Sequence, residues 1–131
     1  MKFFEFDYET FDGESKTLKL RLVSADMKTI EKKTGVKLLD YVSDYSITTI
    51  SNLLMYMNRP AVSNFSEKDA DKLYDELIDA GLTLEEIYQN IIMETLVVSG
   101  FMKQEELDEM RSINKETKEQ KMEELKNPSK K

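Results

Sequence analysis

The hydrophobic period of this chain changes once, near Ser24, and that change constrains the fold more than any other feature. Before it, Phe4, Phe6 and Tyr8 alternate with Glu5, Asp7 and Glu9, and Leu18, Leu20 and Leu22 alternate with Lys19 and Arg21. Period two is the signature of a half-buried strand. Asp12-Gly13 lies between the two runs and supplies a turn. Residues 3–23 are therefore predicted to form a β-hairpin. A two-residue Asp12-Gly13 loop would set Phe6 against Lys19. A three-residue loop, Asp12-Gly13-Glu14, sets Phe6 against Leu20 and Phe4 against Leu22, with Glu5 facing Arg21 and Asp7 facing Lys19. The second register is preferred because a one-residue slip turns every side chain to the wrong face.

After Ser24 the apolar residues recur at helical spacing. Ser24 is expected to cap a helix that runs to about Thr34 and ends at Gly35. Leu38, Leu39 and Val42 suggest a short helix. Ser46 is expected to cap a longer one, with Ile47, Ile50, Leu54 and Met57 on one face, and Pro60 stops it. Ser66-Glu67-Lys68-Asp69 opens a further helix whose apolar stripe is Ala70, Leu73, Tyr74, Leu77 and Ile78. Thr83-Leu84-Glu85-Glu86 is a full capping box. Its helix places Leu84, Ile87, Tyr88, Ile91, Thr95 and Val98 on one face and ends at Gly100. Leu107 and Met110 suggest one more short helix, and apolar residues almost vanish after Ile113.

The predicted class is α+β and mostly α: an N-terminal hairpin packed on a bundle of about five helices, followed by a polar C-terminal tail. Residues 1–112 are expected to form one domain, with the hairpin at 3–23 and helices over 24–112. Residues 113–131 are expected to be disordered or an extended solvated helix. The chain's 131 residues suit one domain with its own core.

Composition excludes several chemistries. The chain has no cysteine and no histidine, so disulfides, thiol nucleophiles and the commonest general base and metal ligand are unavailable. No secretory signal and no membrane span are expected, since no apolar run approaches the roughly 20 residues a span needs. The net charge is −7. The segment Ser66–Glu94 alone carries −7, because nine acidic residues there stand against Lys68 and Lys72. Such a body argues against binding nucleic acid through phosphate contacts.

Asp71, Asp75 and Asp79 recur every fourth residue, so they are expected on one helical face. A divalent-cation site is one reading, and the solvated face of an amphipathic helix is the favoured one. The spacing does not match an EF-hand, which needs its carboxylates in a loop. Val98-Ser99-Gly100-Phe101 lacks the first glycine of a nucleophile elbow and has no histidine to serve as its base. No catalytic, cofactor-binding or metal residues are assigned, and no enzyme is expected.

Some apolar residues fall off the main helical faces. Met93 and Val97 lie opposite the last helix's stripe, Phe101 and Met102 follow it, and Met55 and Tyr56 lie off the face of the earlier helix. Eight methionines are many for such a chain, and methionine suits adaptable binding surfaces. Either the two helices are central and buried all round, or these six residues are candidates for a partner-binding surface.

The order of motifs resembles a family. Leu20-Arg21-Leu22 closes a strand, and Glu31-Lys32-Lys33-Thr34-Gly35 ends a helix. Asp75-Glu76 precedes Gly81 by a helical end, and Ser99-Gly100-Phe101 closes the last strong helix. Over about residues 15–102 this resembles the tail assembly chaperones of siphoviruses that infect Gram-positive bacteria. The resemblance implies a non-enzymatic protein that binds the phage tape-measure protein and keeps it soluble during tail tube assembly. It implies a longer frameshifted form that recruits tail tube protein, action in the cytoplasm of the infected host, and absence from the mature virion. Self-association is compatible with it; nucleic acid, membrane and cofactors are not expected. Two other classes compete. One is an acidic inhibitor that mimics nucleic acid and blocks a host enzyme through Asp71, Asp75 and Asp79. The other is a small metal-dependent hydrolase with carboxylate ligands only.

Overall fold

The computed structural model describes residues 1–44 and 46–113. Two strands, β1 (Phe4–Glu9) and β2 (Ser15–Leu20), form an antiparallel hairpin. Six α-helices follow within residues 24–98: α1 (Ser24–Thr34), α2 (Leu38–Ser43), α3 (Ile47–Asn58), α4 (Glu67–Asp79), α5 (Leu84–Ile87) and α6 (Met93–Val98). A single π-helical turn, Tyr88–Ile92, joins α5 to α6. The fold is α+β and mostly α. The chain divides into two compact units, Met1–Phe101 and Met102–Lys131. Within the second, residues 104–113 are helical and carry Leu107 and Met110. The polar tail beyond residue 113 lies outside the described residues. Among those described, no helix is long and apolar enough to cross a membrane.

The hairpin keeps the expected faces but not the expected register. Phe4 pairs with Leu20, Phe6 with Leu18 and Tyr8 with Lys16. On the outer face Glu5 meets Lys19 and Asp7 meets Thr17. The loop does hold three residues, but they are Phe11-Asp12-Gly13. Gly13 donates to the Thr10 carbonyl at 2.9 Å, and the Thr10 amide donates to the Glu14 carbonyl at 2.8 Å. This is a type I turn closed by a left-handed residue, and Gly13 holds that place with φ 86°. The predicted loop would have put Glu14 there, where a Cβ is strained by roughly 1–2 kcal/mol. Moving the loop by one residue shifts the pairing by two, so the faces survive.

Helix α3 is central and packs against α2, α4, β2 and the π turn. Ile50, Leu53, Leu54 and Met57 on it are fully enclosed, while Ile47, expected on its inner face, is exposed. Ser46 caps it by accepting from the Thr49 amide. Ser66 with Asp69, and Thr83 with Glu86, form the two expected capping boxes. Ser24 does not cap α1; it lies inside the helix, and Val23 is the cap residue with no side-chain bond. The cause is tertiary. Arg21 donates its amide to the Met57 carbonyl at 2.9 Å, and Leu22 donates to Ser99 Oγ at 2.9 Å. These bonds pin the exit of β2, so α1 starts one residue early.

Candidate protein-binding surface

The six apolar residues singled out in the sequence do not share one surface. Met93 is 1% exposed and belongs to the core, as does Tyr56 at 6%. The π turn explains Met93. Its amide donates to the Tyr88 carbonyl, five residues back in place of four. That extra residue turns everything after it back by about 100° relative to a regular helix. Met93 and Leu96 therefore join Ile87, Ile91 and Ile92 in the interior. Val97, Phe101 and Met102 stay partly exposed. Phe101 also ends α6, donating its amide to the Leu96 carbonyl at 2.9 Å over Gly100, whose φ is 80°.

Met55 and Tyr56 lie together on a 270 Å³ cleft with Ile30, Tyr41, Asn52 and Glu67. Arg59 closes over Tyr56, its guanidinium carbon 5.4 Å from the ring centroid, and also donates to the Phe65 carbonyl at 3.1 Å. The other four candidates do not line this cleft.

A larger groove, 710 Å³, lies between the hairpin tip and α4. Phe11 at the tip is 84% exposed, and Val62 in the α3–α4 connection is 48% exposed. Phe65 and Leu73 also line it. Carboxylates of Asp12, Asp69, Asp75, Glu76 and Asp79 surround these apolar groups, with Lys72 among them. Phe11, Val62 and Phe65 lie outside the helices, so a search for surplus apolar residues on helical faces does not find them. An aromatic residue directly before Asp12-Gly13 was the available signal.

The register ties the hairpin to Glu76, which lines this groove. Tyr8 and Lys16 are cross-strand partners, and both reach Glu76 on α4. Lys16 Nζ donates to Glu76 Oε1 at 2.6 Å, and the Tyr8 hydroxyl donates to Oε2 at 2.9 Å. The Lys16 bond, with help from Tyr8, holds the Glu76 carboxyl below its ordinary value of 4.5, against a smaller opposing effect of burial. Burial, and then the bond to Glu76, push the Tyr8 hydroxyl up. A carboxylate with a depressed folded pKa stabilises the fold fully above its unfolded value, and loses that contribution as pH falls through the folded one. Wild-type protein should therefore lose stability on acidification below about pH 4.5, and Glu76→Gln should flatten that part of the curve. Urea melts of both proteins across that range measure the difference; parallel curves would show that the clamp contributes nothing.

The Asp71, Asp75 and Asp79 row does not act as one face. Asp71 accepts from Ser51 Oγ of α3 at 2.6 Å, whereas Asp75 and Asp79 line the groove. Drift of about 40° per four residues separates the two ends of such a row. Among the described residues no three carboxylates come close enough to hold a metal ion. Comparisons with family models, with curated proteins and with solved structures find no match.

Proposed function

We propose that this chain is a tail assembly chaperone of a long-tailed phage, which binds the tape-measure protein and keeps it soluble while the tail tube assembles. The groove carries the reading: apolar side chains of Phe11 and Val62 stand open, with Phe65 half-buried beside them, on a strongly acidic body. A chaperone for a long helical protein needs unpaired apolar surface and enough net charge to stay soluble. The joints between the resembling motifs support the same reading. Arg21 donates to the Val98 carbonyl at 3.2 Å and Leu22 to Ser99, so the strand-end and helix-end motifs meet. Glu31 of the helix-end motif accepts the Leu38 amide at 3.0 Å.

On this reading the protein works in the cytoplasm of the infected host and is left out of the virion. A frameshifted longer form would bring tail tube protein to the same complex. The nucleic-acid mimic has less to work with, because Asp71 is engaged by Ser51 and Glu76 by Lys16 and Tyr8. Co-expression with the tape-measure gene of the same phage tests the proposal. The soluble yield of the tape-measure protein should rise several-fold over expression alone. An unchanged yield counts against the chaperone reading.

A further inference from the structure

We propose that the groove between the hairpin tip and α4 takes one amphipathic helix with a basic edge, its apolar face on Phe11, Val62 and the half-buried Phe65. This rests on the chaperone reading in one respect, that the partner is helical; the chemistry of its edge comes from the groove itself. From Asp69 to Asp79 the wall formed by α4 runs about 15 Å, the length of roughly three helical turns. Not all of its carboxylates are available to a partner. Asp69 is occupied in capping α4, and Glu76 in holding Lys16 and Tyr8. Asp75 and Asp79 are exposed and make no ion pair among the described residues. They stand one helical turn apart, about 6 Å along the axis. Lysines or arginines four residues apart on a partner helix repeat that spacing. Asp12 adds a third carboxylate at the hairpin tip. An acidic helix would meet these groups with like charge, and a neutral one would leave them without partners.

The apolar groups supply most of the contact and the carboxylates set the orientation. Exposed ion pairs contribute little to affinity but discriminate between partners. The difference between basic and acidic ligands should therefore shrink in about 1 M salt, where screening acts within about 3 Å, while apolar binding persists.

The probe is a labelled peptide of about 18 residues, long enough to hold a helix, with leucines along one face and lysines four apart on one edge. A second peptide carries glutamate at each lysine position. Fluorescence anisotropy with the full chain should show the lysine peptide binding at least about tenfold tighter. Phe11→Ser with Val62→Ser should weaken that binding about tenfold with the melting temperature unchanged, since both side chains are exposed. Asp75→Lys with Asp79→Lys should reverse the preference, so that the glutamate peptide binds better. Leu39→Ser, at a 57% exposed position on α2, should change neither. The inference is overturned if wild-type protein binds neither peptide or both equally. It is also overturned if the Phe11/Val62 variant binds as before or if the charge swap leaves the preference in place. The two proposals can fail separately. If the groove variant still solubilises the tape-measure protein, the groove falls and the chaperone stands. If the lysine peptide binds as expected but the tape-measure protein gains nothing, the chaperone falls and the groove stands.

Discussion

Met93→Asp is expected to abolish the cooperative melt, while Val97→Asp leaves the protein folded. The two residues lie one turn apart on α6, about 40° around its axis, and the edge of the core passes between them. Met93 is 1% exposed, so an aspartate there must either keep a charge in the interior or take up a proton to avoid it. That penalty, several kcal/mol, adds to the roughly 2–3 kcal/mol lost with the methionine's burial. Together they approach the whole stability of a small domain, about 5–15 kcal/mol. Val97 is partly exposed, so a carboxylate there reaches water and costs about 1 kcal/mol. Circular dichroism melts of the two variants measure this directly. Equal, small effects would mean that the π turn does not carry Met93 inward.

Leu54→Ala should destabilise the protein by about 2–5 kcal/mol, the range for a leucine removed from a closed interior. Leu54 is fully buried on α3, the helix that touches more of the fold than any other described element. Its neighbourhood is held from several sides, so the cavity left behind has little freedom to collapse. Ile47→Ala on the same helix is the control. Ile47 is 54% exposed, and its replacement should stay within about 0.5 kcal/mol. Chemical denaturation of both variants decides the matter. A small effect at Leu54, or a large one at Ile47, would contradict the placement of α3 at the centre.

What was legible in the sequence was local. Ser46, Ser66 with Asp69, and Thr83 with Glu86 cap their helices as their spacing predicts, because a cap needs only groups within one turn. The faces of the hairpin were legible for the same reason, since alternation alone defines them. The register was missed by two residues, yet the information was present: of the residues around the turn, only Gly13 takes a positive φ without strain. The misplaced elements depend on more distant parts of the chain. Ser24 lost its cap to bonds from Arg21 and Leu22 to residues far along the sequence. A regular period puts Met93 opposite the main stripe, the π turn breaks that period, and nothing in Tyr88-Gln89-Asn90-Ile91-Ile92 announces an extra residue per turn. The spacing puts Asp71 on its neighbours' face, but Ser51 of α3 claims it. The groove was hidden because it joins a hairpin tip to a helix some 60 residues away in sequence, and no period records that meeting.

The proposed chaperone role requires a complex with a tape-measure protein, and that complex can be sought by co-purification. If the proposed function is right, tagged wild-type protein co-expressed with a tape-measure protein encoded beside it should retain that protein on a column through a wash at about 1 M salt. Apolar burial survives such a wash, while contacts made by charge alone are screened away. Retention at high salt is the result the chaperone account predicts. A column that holds no tape-measure protein at any salt, or releases it as soon as the salt is raised, would contradict it.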